Sequence, residues 1–134
     1  MVITTLLIFL LEWISKNTDY DASLFNSKII ELDKEEFERI ACKGKCPVLA
    51  FFDANKGIYL RKMNLENLCN QSIVLHEIIH SLQNLRETKI ENAFKEKEAY
   101  EIQNYFLSDI SKEMDTLEVL SVKKCRSQQT NDII

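Results

Sequence analysis

Three side chains within five residues could together bind and activate a metal ion: His76, Glu77 and His80. Residues four positions apart lie on the same face of a helix, so both imidazoles can reach one zinc ion at about 2.0–2.1 Å. Glu77 would then stand beside the metal as a general base. The flanking residues are apolar, which indicates a buried helix where an unpartnered imidazole or carboxylate would be costly. We therefore predict a zinc site rather than two ordinary polar histidines.

The third ligand cannot be a histidine, because the chain contains only two. A catalytic zinc ion usually has three protein ligands and one open position, so a carboxylate from the next helix is the remaining choice. Helical spacing places Glu96 on a mostly apolar stripe with Ala99, Gln103, Phe106, Leu107, Ile110 and Met114. Glu98 lies on a neighbouring stripe with Phe94, Ile102 and Tyr105. The periodicity favours Glu96 as the ligand and leaves Glu98 as the alternative.

These motifs resemble the zincin metallopeptidases, in particular the gluzincin branch. In several of those families the third ligand opens an E-x-E-A segment, which Glu96–Ala99 matches. The longer patterns H-E-x-x-H-x-L-Q at His76–Gln83 and E-x-E-A-Y-x-x-Q at Glu96–Gln103 resemble small bacterial zincin-like domains. The resemblance implies a minimal zincin-like fold, Glu96 as zinc ligand and Glu77 as general base. The metzincin branch is excluded, because its extended motif needs a third histidine and the chain has only two.

Further roles around the zinc ion follow from position and from the resemblance. Gln83 and Gln103 are candidates to support the metal ligands by hydrogen bonding. Tyr100 stands where many gluzincins carry a supporting Asp, and it is a candidate oxyanion donor or, alternatively, a packed aromatic residue. In zincins an edge strand before the active-site helix pairs with the substrate backbone. The resemblance assigns that role here to the second hairpin strand, with Ile58, Tyr59 and Leu60.

The elements that must position these residues are helices around a small sheet. Capping, turn and periodicity signals give the following order: a helix over 5–16, a strand over 28–32, a helix from the N-cap Asp33 to Cys42, a hairpin with strands 48–52 and 58–60, and helices over 65–86 and 91–114. The tail over 124–134 is polar and is expected to be frayed. The sequence predicts one α+β domain over 1–134.

The first fourteen residues are apolar enough to suggest a remnant export signal, but they lack a basic start, and Glu12 interrupts them. They are also shorter than the roughly 20 apolar residues that a bilayer span needs. Helical spacing of Leu7, Leu10, Leu11 and Ile14 favours a first amphipathic helix packed on the core. Membrane contact through residues 1–14 is therefore disfavoured. The compartment, cytoplasmic or periplasmic or secreted, is left open.

The four cysteines are Cys42, Cys46, Cys69 and Cys125. Cys42 and Cys46 are close enough in sequence to close a tight disulfide, but four cysteines allow three pairings and the sequence does not choose among them. No C-x-x-C pair occurs, so zinc binding by the cysteines is disfavoured.

Composition and charge narrow the function further. The formal net charge is −4 and the isoelectric point is about 5.3, which disfavours a nucleic-acid partner. The motifs predict a Zn²⁺-dependent hydrolase, a metallopeptidase acting on peptide or protein substrates. The alternative is a non-catalytic domain that zinc stabilises for partner binding. The oligomeric state is not predicted.

Overall fold

The chain folds as an α+β structure, as the sequence predicts. The computed structural model describes residues 1–42, 48–86, 90–114 and 118–133. Its elements are α1 (Ile3–Asn17), a 3₁₀ turn (Ala22–Leu24), β1 (Ile29–Leu32), α2 (Lys34–Cys42), β2 (Ala50–Asp53), β3 (Gly57–Arg61), α3 (Leu68–Asn84), α4 (Asn92–Glu113) and α5 (Val122–Ile133). Asp33 caps α2 as predicted, since its side chain accepts the backbone N–H of Glu36.

The three strands form one mixed sheet in the order β1-β3-β2. β2 and β3 form the predicted hairpin, and β1 pairs in parallel with β3 on the opposite side. β3 therefore lies in the centre of the sheet. The prediction that Ile58, Tyr59 and Leu60 form the substrate-binding edge was wrong, because β1 and β2 already occupy both sides of that strand. β2 is the edge strand beside α3.

Gly57 makes the hairpin possible at the start of β3. Its φ of +126° is a conformation that residues with a side chain rarely adopt. A Cβ atom there would lie 2.4 Å from the carbonyl oxygen of Lys28, just before β1. The glycine thus allows β1 and the hairpin to approach closely.

The core lies between the sheet, α1, α3 and α4. α4 buries most of its predicted stripe, namely Ala99, Gln103, Phe106, Leu107 and Ile110. Met114 was predicted on the same stripe, but it is exposed at the C-terminal end of the helix, where packing ends. α3 contributes buried apolar residues on several faces, including Val74, Leu75, Ile78 and Ile79, because both the sheet and α4 pack against it.

α1 packs on the core as expected of an amphipathic helix, with a shifted face. Its buried residues are Leu6, Leu10, Trp13 and Ile14. Leu7 and Leu11, predicted on the core face, are only partly buried, whereas Trp13 is buried with its ring 5.1 Å from that of Phe106 on α4. The Trp13 indole donates to the Asp109 carboxylate at 2.8 Å. No helix among the described residues is long and apolar enough to cross a membrane.

The C-terminal segment differs from the prediction of a frayed tail after Lys123. Residues Val122–Ile133 form α5, and Val122 and Cys125 are buried. A disulfide joins Cys69 on α3 to Cys125, with Cα atoms 5.5 Å apart. This covalent link ties α5 to α3. A pairing of Cys42 with Cys46 lies outside the described residues.

Candidate metal centre

The structure brings the two histidines of α3 and the first glutamate of α4 to one point. The Nε2 atoms of His76 and His80 lie 3.0 Å apart. The Glu96 carboxylate contacts Nε2 of His80 and lies 3.6 Å from Nε2 of His76. All three ligand atoms lie within 4.8 Å of one another. Two nitrogen ligands on a tetrahedral zinc ion are separated by roughly 3.3 Å, so the donor set fits this metal.

His76 is held in the tautomer that presents Nε2 to this point. Its Nδ1 lies 2.8 Å from Oε1 of Gln103, and the Gln103 amide nitrogen donates to the Ser72 hydroxyl at 3.0 Å. Ser72 in turn donates to the carbonyl of Cys69 at 2.7 Å. Because that carbonyl can only accept, every donor along the chain is fixed, and Nδ1 of His76 must carry the proton. Nε2 then keeps its lone pair for a metal.

His80 is held in the same way by Gln83. Nδ1 of His80 lies 2.8 Å from Oε1 of Gln83. The amide nitrogen of Gln83 donates to the carbonyl of Lys95 at 2.9 Å and to the Glu98 carboxylate at 3.0 Å. Both acceptors lack a proton to give, so the amide orientation and the His80 tautomer are fixed. Gln83 and Gln103, the predicted supporting residues, thus each hydrogen-bond one of the two histidines, and their support of a bound metal stays a prediction.

Glu98, the alternative third ligand, faces away from the histidine nitrogens. Its carboxylate accepts hydrogen bonds from Gln83 and from the Tyr20 hydroxyl. The Glu96 carboxylate instead contacts the histidines of α3, and its side chain is about half exposed. The geometry thus favours Glu96 over Glu98 as the carboxylate ligand, in agreement with the helical phase.

Burial controls the charge of the groups at this centre. Desolvation lowers the pKa of His76, and the adjacent His80 lowers it further, which favours the neutral imidazole that binds metals. Glu77 is 8% exposed, and its pKa is raised to about 8 by burial and by the charge of Glu96. A hydrogen bond from the backbone N–H of Phe52 opposes this rise. Glu77 thus lies between the metal ligands and strand β2, where burial favours its protonated form in the metal-free protein.

Strand β2 presents backbone groups to the same cleft. Arg61 N–H donates to the carbonyl of Leu49, and bonded residues alternate along an antiparallel pair. Ala50 and Phe52 consequently direct their backbone N–H and C=O groups towards the open edge of the sheet. The hydrogen bond from Phe52 to Glu77 agrees with this direction. The sequence did not reveal this edge, since it depends on which side of the hairpin β1 occupies.

Tyr100 lies against the metal centre, with its ring 4.6 Å from the His76 ring between centroids. Its hydroxyl accepts a hydrogen bond of 2.8 Å from Arg126 on α5. The phenol hydrogen can still be donated. The role of Tyr100 as oxyanion donor stays a prediction, while its packing against His76 matches the alternative of a packed aromatic residue.

Two connected spaces adjoin these groups. A cleft of about 490 Å³ extends along β2, α3 and the start of α4 and includes His76, Glu77, His80 and Glu96. A smaller cavity of about 150 Å³ lies between β2, α3 and α5 and also reaches His76 and Glu77. Its apolar walls are Val48, Leu49, Ala50, Ile73, Val122 and Cys125. Arg126 and Val122 were not predicted at the site, because the polar sequence of α5 carries no strong helical signal.

Comparison with protein families places almost the whole chain in one of them. The chain belongs to the family described as domain of unknown function DUF6647, whose model matches residues 2–132. No curated protein and no solved structure gives a significant match. The family therefore assigns no activity to this chain, and a proposal for its function has to rest on the site.

Proposed function

We propose that this protein is a zinc-dependent hydrolase of the gluzincin type that cleaves peptide bonds. The observation that carries the proposal is the convergence of His76, His80 and Glu96, whose ligand atoms lie within 4.8 Å of one another. Both imidazoles are hydrogen-bonded through Nδ1, which leaves Nε2 as the nitrogen that faces the proposed metal position. A helix that merely buried two histidines would need neither this tautomer control nor the adjacent carboxylates.

A zinc ion bound by these three residues would acidify a water molecule and polarise a carbonyl group. Glu77 supplies the proton acceptor. In the metal-free protein burial raises the pKa of Glu77 to about 8, and a bound cation would lower it again, so that Glu77 could accept the proton of the water and return it to the leaving amine. The backbone N–H of Phe52 holds the Glu77 carboxylate at the edge of the cleft, where this transfer has to occur.

The peptide substrate would lie in the cleft along β2. An extended backbone can add to an open sheet edge by main-chain hydrogen bonds, and Ala50 directs its N–H and C=O there. The apolar cavity beside His76 and Glu77 has room for one hydrophobic side chain next to the scissile bond. The proposed substrates are therefore peptides or proteins with an apolar residue at that position.

The test combines metal content with peptide hydrolysis in three proteins. The wild type should hold about one zinc ion per chain, and His76→Ala should lose it. Glu77→Gln should keep the zinc and lose hydrolysis of a mixed peptide library by several orders of magnitude. Hydrolysis that survives in Glu77→Gln would contradict the proposed mechanism. Zinc binding without any hydrolysis by the wild type would instead support a zinc-stabilised partner-binding domain.

A further inference from the structure

The Glu98 carboxylate is the end of a polar chain that starts at His80. It accepts from the Gln83 amide at 3.0 Å and from the Tyr20 hydroxyl. Arg86 lies 3.9 Å from its second oxygen and 4.1 Å above the Tyr20 ring. Glu98 is about one-quarter exposed, and Tyr20 is buried. These contacts hold one charged carboxylate directly behind the amide that orients His80.

The two histidines differ in the hydrogen-bond chains that begin at their Nδ1 atoms. The chain behind His76 passes through Gln103 to Ser72 and ends at a neutral backbone carbonyl. The chain behind His80 ends at the neutral carbonyl of Lys95 and, in addition, at the negative charge of Glu98. A hydrogen bond to a charged acceptor is stronger, and bonds in a chain polarise one another. The Gln83 oxygen should therefore accept more strongly from His80 than the Gln103 oxygen accepts from His76.

We propose that Glu98 and Tyr20 are positioning residues that act through Gln83 to strengthen His80 as a metal ligand. The proposal rests on the zinc site proposed above and extends it to two residues that contact neither the metal point nor the cleft around it. Glu98 draws the Gln83 amide towards itself, and Tyr20 holds the Glu98 oxygen in place. The carbonyl of Lys95 keeps the amide orientation, so the contribution of Glu98 is mainly its charge.

The experiment measures zinc affinity by competition with a chelating dye in Glu98→Ala, Glu98→Gln and Tyr20→Phe. Residues that hydrogen-bond a metal ligand directly typically contribute 10–100-fold to metal affinity, and Glu98 is one hydrogen bond further from the metal. We expect Glu98→Ala to weaken zinc binding about 10-fold. Glu98→Gln, which keeps the shape and an acceptor oxygen but loses the charge, should lie between Glu98→Ala and the wild type. Tyr20→Phe should weaken binding less than Glu98→Ala.

Two matched controls separate this effect from a general change of α4 or of its surface. Glu101→Gln removes an equal charge from the same helix, where Glu101 faces solvent and lies 4.0 Å from Lys97. Tyr105→Phe removes a neighbouring phenol that donates to Asn17 at 3.3 Å instead of to Glu98. Both controls should bind zinc with the affinity of the wild type.

A double-mutant cycle tests whether Glu98 acts through Gln83. Glu98→Ala should have no further effect on zinc affinity in a Gln83→Ala background. The ¹⁵N chemical shifts of the metal-free protein give a second readout, in which Glu98→Ala should move the ring nitrogens of His80 and leave those of His76. Additive losses, or His80 shifts that equal those of the wild type, would overturn the proposal.

The two proposals can fail separately. If the folded wild type binds no zinc, the proposed function fails, while the His80 shifts in the metal-free variants still decide the positioning role. If zinc binds and Glu98→Ala and Tyr20→Phe match the two controls in affinity, the positioning role is refuted and the zinc site stands. Should Glu98→Ala not fold, Glu98→Gln and Tyr20→Phe carry the same comparison.

Discussion

Replacement of Glu77 by glutamine should stabilise the metal-free protein, and increasingly so as the pH rises. Glu77 is 8% exposed, and its pKa is raised from 4.5 to about 8, chiefly by burial and then by the charge of Glu96. A carboxyl group with a raised pKa in the folded state binds its proton more tightly there than in the unfolded chain. Its contribution to stability is therefore complete below about pH 4.5 and is lost as the pH rises towards 8.

The size of the effect follows from the distance between the two pKa values. Each pH unit between them costs the folded state about 1.4 kcal/mol, so the loss reaches about 3 kcal/mol at pH 7. The glutamine side chain of the variant has nearly the same shape, carries no charge, and can still accept from the N–H of Phe52. The variant should thus match the wild type near pH 4.5 and exceed it by about 3 kcal/mol at pH 7.

Urea unfolding in the presence of EDTA, repeated from pH 4.5 to 7.5, measures this difference. The lowered pKa of His76 affects both proteins and largely cancels in the comparison. Glu101→Gln, which removes an exposed carboxylate from α4, is the control and should show no such rise with pH. Added zinc should narrow the gap, because a cation beside Glu77 favours its charged form. A gap between Glu77→Gln and the wild type that is equal at pH 5 and pH 7 would refute the reasoning.

Three further changes test the fold and the cavity. Cys125→Ser opens a disulfide that closes a 56-residue separation and should lower the unfolding free energy by about 4 kcal/mol in urea titrations; an unchanged midpoint would contradict this. Gly57→Ala should lower the unfolding free energy by about 1–3 kcal/mol in the same assay, because its Cβ would lie 2.4 Å from the Lys28 carbonyl oxygen. An unfolding free energy equal to that of the wild type would contradict the hairpin geometry. Val122→Trp should fill the apolar cavity and raise the KM for bulky apolar peptides, while the zinc content stays unchanged. Val119→Trp, at an exposed position, should leave that KM unchanged.

The parts of the site that lie within one helix could be predicted from the sequence. His76, Glu77, His80 and Gln83 all lie on α3, so the helical repeat alone fixes their relative positions. Glu96 required one step more, the choice of the core-facing stripe of α4. The apolar residues Ala99, Phe106 and Leu107 mark that face, and the structure places the Glu96 carboxylate beside the two histidines, while its role as zinc ligand stays a prediction.

The parts that depend on contacts distant in sequence could not be predicted in this way. β3 becomes the central strand only because β1, which begins 28 residues earlier, pairs beside it, and no local pattern records that pairing. Without it, either strand of the hairpin could be the edge. Tyr20 could not be predicted at the site for the same reason, because its partner Glu98 is 78 residues away in the sequence.

α5 was missed for a different reason. Its sequence is mostly polar, and a helix of this kind has little amphipathic signal to detect. Two long-range contacts hold its start: the disulfide of Cys125 with Cys69, and the hydrogen bond from Val122 N–H to Asn104 at 2.8 Å. Arg126 of this helix donates a hydrogen bond to Tyr100. A site residue that was predicted from the sequence therefore contacts an element that was not predicted.

The electrostatics of the site support the proposed cation. Glu77 and Glu96 each carry a carboxylate next to the two imidazoles, and the charge of Glu96 raises the pKa of Glu77. In the absence of a cation this arrangement costs free energy, since one buried carboxyl group must hold a proton or carry an unfavourable charge. Meanwhile every buried side-chain nitrogen and oxygen of the described residues has a hydrogen-bond partner. Two carboxyl groups at one cleft, in a structure whose buried polar groups are otherwise satisfied, therefore support the proposed metal site.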